Sequence, residues 1–177
     1  MFRLERSEEV FRGKIFTVRR DWVRLPQGRT TALDIIVHHG AVTIVPLDEQ
    51  GRLWFVRQYR HAAGETLLEF PAGTLEPGES AEACAAREIR EEIGLAAGHL
   101  RLLGRFYLAP GYSTEYMRVF LATDLHPAPL PPDADEFLEP VALPVAQVLL
   151  RAREGAFQDA KTLAALMLAL PWLPGAA

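Results

Sequence analysis

The sequence contains a single cysteine and no asparagine among its 177 residues. One cysteine, Cys84, excludes an intramolecular disulfide framework and a multi-cysteine zinc site, and the lack of asparagine excludes an N-glycosylation sequon. The longest apolar run, residues 163–170, is far shorter than the roughly 20 residues that span a bilayer, and the N-terminal residues have no apolar stretch typical of a signal peptide. We therefore expect a soluble cytoplasmic protein with no membrane partner.

Blocks of basic residues are also missing. The chain has 19 Lys and Arg against 23 Asp and Glu, a formal net charge of −4, and no basic stripe could follow a phosphate backbone. Nucleic acid is therefore not an expected partner. Apolar residues make up 49% of the chain, which is enough for one sizeable core, so the sequence predicts a single domain that covers residues 1–177.

The hydrophobic pattern predicts a mixed α+β fold. Strands are predicted at 16–25, 31–37, 41–47, 53–59, 101–107, 117–123 and 137–143, and helices at 81–93, 145–154 and 159–170. Within the strand predicted at 41–47, the continuous β-branched run at 41–45 favours a strand covered on both faces. Several strands follow one another without an intervening helix, so a doubly wound sheet is not expected.

The helix predicted at 81–93 has clear start and stop signals. Ser80 is the candidate N-cap, Glu82 favours the first turn, and Gly94 is the C-terminal stop. The spacing of apolar residues predicts a packing stripe on this helix, made of Ala83, Ala86, Ile89 and Ile93. The acidic residues are then expected beside the stripe, at its edge.

Three carboxylates crowd the C-terminal half of this helix. Glu88 and Glu92 are four residues apart and share a face, Glu91 lies beside them, and Arg87 lies one turn before Glu91. One interpretation is a solvated acidic face offset by arginines. The other is a site for a hard cation such as Mg²⁺ or Mn²⁺, which prefers oxygen ligands and relieves their mutual repulsion.

Residues 73–95 resemble the Nudix hydrolase box, G-x5-E-x7-R-E-U-x-E-E-x-G-U with U a bulky aliphatic residue, at every specified position. At average residue usage, a chance match is on the order of 10⁻⁹ per starting position. The resemblance implies the Nudix fold, an α+β fold in which a mixed β-sheet is sandwiched between helices, with an N-terminal antiparallel β-sheet extension. Residues 1–38 would form that extension, used for dimerisation, and residues 39–177 the catalytic core.

The same resemblance implies a hydrolase for nucleoside diphosphates linked to a second group, with on the order of two to three Mg²⁺ or Mn²⁺ ions per site. Glu88 and Glu92 would be the principal metal ligands, with Glu91 as a third and the backbone carbonyl of Ala72 as a further ligand. Arg87 would orient a glutamate by ion pairing and Glu79 would support it, so Arg87 and Glu91 are predicted catalytic residues.

Segments outside the box are similar to ADP-ribose pyrophosphatases: Arg57-Gln58-Tyr59-Arg60 with residues 68–73, the Pro110-Gly111 element, and the acidic segment at 135–139. The resemblance implies a set of substrate-binding residues, namely Arg29, Arg57, Arg60, Glu69, Pro110, Gly111 and Tyr112. Glu136 or Glu139 would be the general base that takes a proton from the attacking water. Surface arginines, a simple turn and a solvated loop carboxylate remain the respective alternatives.

One position departs from the subfamily pattern. Leu33-Asp34 stands where these enzymes often carry Arg-Glu, which puts a nucleotide contact in doubt, although Arg29 could substitute. His38 and His39 are interpreted as a strand end rather than as metal ligands. Cys84 is interpreted as an inert core thiol.

The first hypothesis for function is therefore metal-dependent hydrolysis of ADP-ribose to AMP and ribose 5-phosphate. The resemblance also implies a homodimer with exchanged N-terminal strands, in which residues near Arg29 help to form the partner's adenine pocket. Two alternatives stay open: a Nudix hydrolase for another nucleoside diphosphate sugar or dinucleotide, and a non-catalytic sensor that binds ADP-ribose.

Overall fold

The computed structural model of the chain describes residues 1–131 and 137–175. These residues form two compact units: an N-terminal unit, Met1–Gly40 with Phe106–Tyr116, and a core unit, Ala41–Arg105 with the described part of Met117–Ala177. The strands are β1 (Arg3–Arg12), β2 (Thr17–Arg24), β3 (Thr30–Val37), β4 (Ala41–Pro46), β5 (Arg52–Arg60), β6 (Glu65–Glu69), β7 (Ala72–Thr74), β8 (Leu95–Tyr107), β9 (Tyr116–Pro127) and β10 (Leu138–Pro144). The helices are α1 (Ala81–Ile93), α2 (Val145–Arg153) and α3 (Ala160–Ala169), and a 3₁₀ turn follows at Leu170–Trp172.

The N-terminal unit contains an antiparallel sheet in the order β1-β2-β3. Pro26-Gln27-Gly28 forms the turn between β2 and β3, and Gly28 adopts a φ of 89° there, a conformation that favours glycine. The sheet and the residues beside its strands leave several large apolar side chains exposed, namely Phe2, Leu4, Val10, Phe11, Ile15, Phe16 and Leu33. An exposed apolar surface of this kind is typical of a protein interaction site.

A loop in the same unit is joined to β3 by backbone hydrogen bonds. Ile36 N donates to Tyr112 O (2.8 Å), and Thr114 N donates to Ile36 O (2.9 Å). His38 N also donates to the Thr114 hydroxyl at 2.9 Å. These bonds fix the position of the Pro110-Gly111 segment relative to β3.

The core unit is built on β4, whose six residues are all buried. β4 pairs in parallel with β9 and antiparallel with β7, and the four-stranded sheet has the order β7-β4-β9-β8. A second sheet has the order β10-β5-β6. Both α1 and α3 pack against β4, so the predicted strand covered on both faces is confirmed, as is the mixed α+β class.

Helix α1 has the predicted bounds, but its buried face differs from the predicted stripe. Ala83 and Ala86 are exposed, so their assignment to the packing stripe was wrong. The buried face consists of Cys84, Ala85, Glu88, Ile89, Glu92 and Ile93. Two glutamates are buried because the segment 72–73 lies against them, a tertiary contact that hydrophobic periodicity does not report.

Three strands were not predicted: β1, β6 and β7. β1 is rich in charged residues and β7 has only three residues, so neither carries the apolar alternation that identifies a strand. β8 and β9 extend beyond their predicted bounds. No helix in the described part of the chain is long and apolar enough to cross a membrane.

Candidate active site

The backbone segment before α1 approaches the buried glutamates of that helix closely. Ala72 N donates to Glu92 Oε2 at 3.0 Å. At Gly73 a Cβ atom would overlap the Glu88 carboxylate, so only glycine permits this approach without displacing Glu88. Ser80 begins α1 as predicted, because its hydroxyl accepts from Ala83 N at 3.1 Å, and Gly94 ends it with a φ of 72°.

Arg87 is the cation around which the carboxylates gather. Its Nε and Nη2 donate to the two oxygens of Glu79, both at 3.0 Å. Its Nη1 donates to Glu88 Oε1 at 2.7 Å and to Glu91 Oε2 at 2.9 Å. These carboxylates raise the pKa of Arg87, with Glu79 as the largest cause, and Arg87 in turn lowers the pKa of Glu79.

This arrangement leaves an excess of negative charge. One guanidinium faces Glu79, Glu88 and Glu91, and the Glu92 residue beside them is only 6% exposed. Among the described residues, no group of three or more His, Cys, Asp and Glu side chains has the arrangement of a ready-formed metal cluster. The donor atoms are nevertheless carboxylate oxygens in partly buried positions, a set that fits Mg²⁺ or Mn²⁺ and excludes soft metals.

A second ion cluster, here called the Lys161 cluster, consists of Arg60, Glu69, Asp159 and Lys161. Arg60 donates through Nε and Nη2 to the two oxygens of Glu69, at 2.8 and 2.7 Å. Lys161 Nζ pairs with Glu69 Oε2 and, at 3.0 Å, with Asp159 Oδ2. Asp159 and Lys161 were not among the predicted site residues. The sequence contains one weak indication of Lys161, which is one of only two lysines in an arginine-rich chain.

The sequence comparisons identify the family. The NUDIX domain pattern matches residues 37–166, well over half of the chain. The chain belongs to the Nudix family. The pattern of the nucleoside diphosphate sugar hydrolase N-terminal domain matches residues 2–32. The predicted family and the predicted Nudix fold are therefore confirmed.

Relatives of this Nudix chain include two bacterial enzymes. The chain is 47% identical over 120 residues to an ADP-ribose pyrophosphatase of Mycobacterium tuberculosis, a match that covers 67% of this chain and 58% of that protein. It is 35% identical over 158 residues to an ADP-ribose pyrophosphatase of Bacillus subtilis, covering 88% and 85% respectively. A crystal structure of an ADP compounds hydrolase superposes with a TM-score of 0.86 at 30% identity, covering 98% of this chain and 95% of the other.

Of the two predicted general bases, Glu136 precedes β10 in the sequence and Glu139 belongs to β10. Glu136 falls outside the described residues. Glu139 is exposed on β10, opposite Arg57 of β5, and Arg57 Nη1 donates to Glu139 Oε2 at 3.1 Å. Arg57 and Glu139 therefore form a cross-strand pair, and their roles in substrate binding and proton transfer remain predictions.

Arg60 and Glu69, both predicted to bind substrate, occupy different environments. The Arg60 side chain is 41% exposed, whereas that of Glu69 is 1% exposed. Both oxygens of Glu69 are engaged by Arg60 and Lys161. Glu69 therefore holds the Arg60 guanidinium in place, and the role of both residues in substrate binding stays a prediction.

The remaining predicted site residues lie in the N-terminal unit. Tyr112 is 58% exposed on the loop that also carries Pro110 and Gly111, and Arg29 is exposed at the start of β3. Asp34, at the position that departs from the subfamily pattern, pairs with Arg20 at 2.7 Å. Their assignment to the substrate site stays a prediction.

The histidines and the cysteine have local roles in the structure. His38 follows β3, and its Nδ1 accepts from Gly40 N at 3.0 Å. Cys84 is fully buried, and its thiol lies 3.6 Å from the Thr74 carbonyl. Burial, and then the nearby Glu88, raise the pKa of Cys84, which suits an unreactive core thiol.

Proposed function

We propose that this Nudix chain is a metal-dependent ADP-ribose pyrophosphatase that produces AMP and ribose 5-phosphate. The observation that carries the proposal is the carboxylate cluster in which Glu79, Glu88 and Glu91 surround Arg87, with Glu92 on the same buried face of α1 as Glu88. Two relatives bear the name ADP-ribose pyrophosphatase, and one of them is similar along 88% of this chain. These comparisons support hydrolysis of a nucleoside diphosphate derivative.

For this activity, the carboxylates of Glu88, Glu91 and Glu92 and the backbone carbonyl of Ala72 would hold Mg²⁺. About two to three ions would bind per site. A bound divalent cation supplies charge neutralisation for the diphosphate and a more acidic water. Glu92 is held in place by Ala72 N.

The protein's own side chains have separate tasks. Arg87 orients Glu88 and Glu91 by ion pairing, which fixes the carboxylates before substrate arrives. Arg60 would form charge-assisted hydrogen bonds to a phosphate or to the terminal ribose. Glu136 or Glu139 would accept the proton of the attacking water.

We further propose that residues 1–38 mediate a homodimer and that residues 39–177 form the catalytic core of a cytoplasmic enzyme. The exposed apolar side chains of the β1-β2-β3 sheet support a partner surface there. Residues near Arg29, together with Pro110, Gly111 and Tyr112, would contribute to the nucleotide pocket. A solution mass equal to one 19.7 kDa chain, measured by light scattering, would contradict the dimer.

A second candidate is a Nudix hydrolase for another nucleoside diphosphate sugar. The observation that favours it is the match of residues 2–32 to the N-terminal domain of nucleoside diphosphate sugar hydrolases. The Asp34–Arg20 pair is consistent with it, because it occupies the position where the ADP-ribose subfamily often carries Arg-Glu. A non-catalytic sensor has no observation in its favour.

The deciding experiment is AMP release from ADP-ribose, ADP-glucose, diadenosine polyphosphates and NADH, with Mg²⁺, with Mn²⁺ and with EDTA. We expect kcat/KM for ADP-ribose to exceed the others by about tenfold or more, since recognition of both ribose and phosphate adds about 1.4 kcal/mol or more. EDTA should lower turnover by about 10³-fold.

The other outcomes are equally informative. Preference for another nucleotide sugar would replace the first candidate with the second while keeping the metal-dependent chemistry. Turnover that EDTA leaves unchanged would contradict the metal site. Binding of ADP-ribose without turnover under any metal would contradict both hydrolase proposals and support the sensor.

A further inference from the structure

The Lys161 cluster contains a largely buried lysine, with a side chain only 12% exposed, that the chemistry described so far does not use. We propose that Lys161 is a positioning residue, which holds Arg60 in the orientation needed to bind the phosphates of the substrate. This inference rests on the proposed function only in so far as Arg60 contacts an anionic diphosphate.

Glu69 is the link between the two cations. Its side chain is 1% exposed, so ionisation in that position requires compensation from neighbouring positive charge. Burial alone would raise the pKa of Glu69, but hydrogen bonds and charge from Arg60 and Lys161 together hold it below its usual value. One carboxylate oxygen, Oε2, is shared between Arg60 and Lys161.

Lys161 is fixed more firmly than an ordinary surface lysine. Its side chain is only 12% exposed and also pairs with Asp159, the residue that caps α3 by accepting from Thr162 N at 3.0 Å. The buried Thr162 hydroxyl in turn accepts from Phe70 N at 3.0 Å. The first turn of α3 is therefore attached both to the Glu69 carboxylate and to the backbone of Phe70, the residue that follows Glu69.

Arg60 receives its orientation from this arrangement. Its Nε and Nη2 are both directed to Glu69, and its Nη1 makes no hydrogen bond within residues 1–131 and 137–175. The hydrogen bonds to Glu69, and to a smaller extent the charge of Glu92, raise the pKa of Arg60. Arg60 thus lies within electrostatic range of a predicted metal ligand and keeps one nitrogen available for a phosphate.

The charges of the Lys161 cluster explain why Glu69 needs Lys161 as a second cation beside Arg60. Arg60 and Lys161 together balance Glu69 and Asp159, so the cluster as a whole is neutral. Without Lys161, Arg60 alone among the described residues would compensate the buried Glu69 carboxylate, and this would hold its guanidinium away from a substrate phosphate. Lys161 therefore lets Arg60 pair with Glu69 while the remaining nitrogen of its guanidinium stays oriented to bind a diphosphate.

The test compares Lys161→Met with Lys161→Arg in steady-state hydrolysis, using whichever nucleotide substrate the unaltered enzyme turns over best. We expect Lys161→Met to raise KM about tenfold while kcat changes by less than about threefold, the pattern of lost binding rather than lost chemistry. Lys161→Arg should recover most of the KM because it retains the charge. Lys14→Met, which removes the other lysine of the chain, should leave KM within about twofold.

A double variant with Arg60→Ala separates positioning from general structural damage. If Lys161 acts through Arg60, adding Lys161→Met to Arg60→Ala should raise KM by less than about twofold further. Multiplicative effects on KM, or an unchanged KM in folded Lys161→Met, would overturn the proposal. If Lys161→Met does not fold, Lys161→Gln, which keeps a hydrogen-bond donor for Glu69, serves in the same comparison. Because the substrate is chosen from the unaltered enzyme's own preference, failure here is distinguishable from failure of the ADP-ribose assignment.

Discussion

The variant Glu92→Gln is expected to lower kcat by about 10³-fold, equivalent to about 4 kcal/mol of transition-state stabilisation. Glu92 lies on the buried face of α1, and its Oε2 accepts from Ala72 N. Glutamine has the same shape and can still accept that hydrogen bond, so the fold should persist. What it loses is the negative charge that a divalent cation requires. The measurement is kcat at saturating substrate across a Mg²⁺ titration.

The matched control is Glu82→Gln, an exposed glutamate in the first turn of the same helix. It should leave kcat within about twofold and stability within a few tenths of a kcal/mol, about the size of a screened helix-dipole interaction. Far-ultraviolet circular dichroism should show both variants folded. If the kcat of Glu92→Gln at saturating Mg²⁺ is within a fewfold of that of the unaltered enzyme, Glu92 is not a metal ligand.

Local signals predicted α1 well but not the face that it buries. The bounds Ala81–Ile93 follow from the Ser80 cap and the Gly94 stop, both of which act within a few residues of the helix ends. The buried positions of Glu88 and Glu92 follow from a different segment, in which Gly73 allows the close approach. Hydrophobic periodicity places carboxylates on the outside of a helix, so it could not indicate their burial.

Contacts between distant residues explain the other differences from the sequence predictions. Arg87 and Glu91 are one helical turn apart, and their pairing was foreseeable. Glu69 and Lys161 are 92 residues apart in the chain, and neither stands out locally as one half of an ion pair. The three-residue strand β7 similarly exists through its pairing with β4, which no periodicity within three residues could reveal.

In both ion clusters of the core unit, an arginine neutralises carboxylates that have little contact with water. In each, a guanidinium holds carboxylates that are mostly removed from water: Arg87 for the Nudix box and Arg60 for Glu69. Arginine suits this task because its planar fork binds a carboxylate through two parallel hydrogen bonds and remains charged. Removing the guanidinium should therefore cost more than removing one carboxylate, because several partly buried carboxylates then lose their shared cation.

The variant Arg87→Met is expected to show that cost in both activity and stability. It leaves Glu79, Glu88 and Glu91, whose side chains are 14%, 10% and 20% exposed, without their shared cation. At pH 7 and in EDTA the free energy of unfolding should fall by about 2–3 kcal/mol, somewhat less than for a fully buried pair because Arg87 is partly exposed. The kcat should fall by about 10²-fold, since the metal-binding carboxylates lose their orientation. Denaturant unfolding and steady-state kinetics measure the two effects.

The pH dependence of this stability loss has a definite sign. Arg87 lowers the pKa of Glu79 in the folded enzyme, so their pairing stabilises the fold above the ordinary pKa of glutamic acid and is lost as pH falls through the lowered value. In Arg87→Met the pKa of Glu79 no longer has this lowering, so the folded variant has no such pairing to lose as pH falls. The difference in unfolding free energy between the two proteins should therefore stay near its pH 7 value down to the ordinary pKa of glutamic acid, and shrink as the pH falls below it toward the lowered pKa of Glu79. Arg87→Lys, which keeps the charge but not the fork, should recover part of the stability and little of the kcat. A loss below about 0.5 kcal/mol in Arg87→Met at pH 7, within the range of an ordinary surface substitution, would contradict the role of Arg87 as the cation that holds the site together.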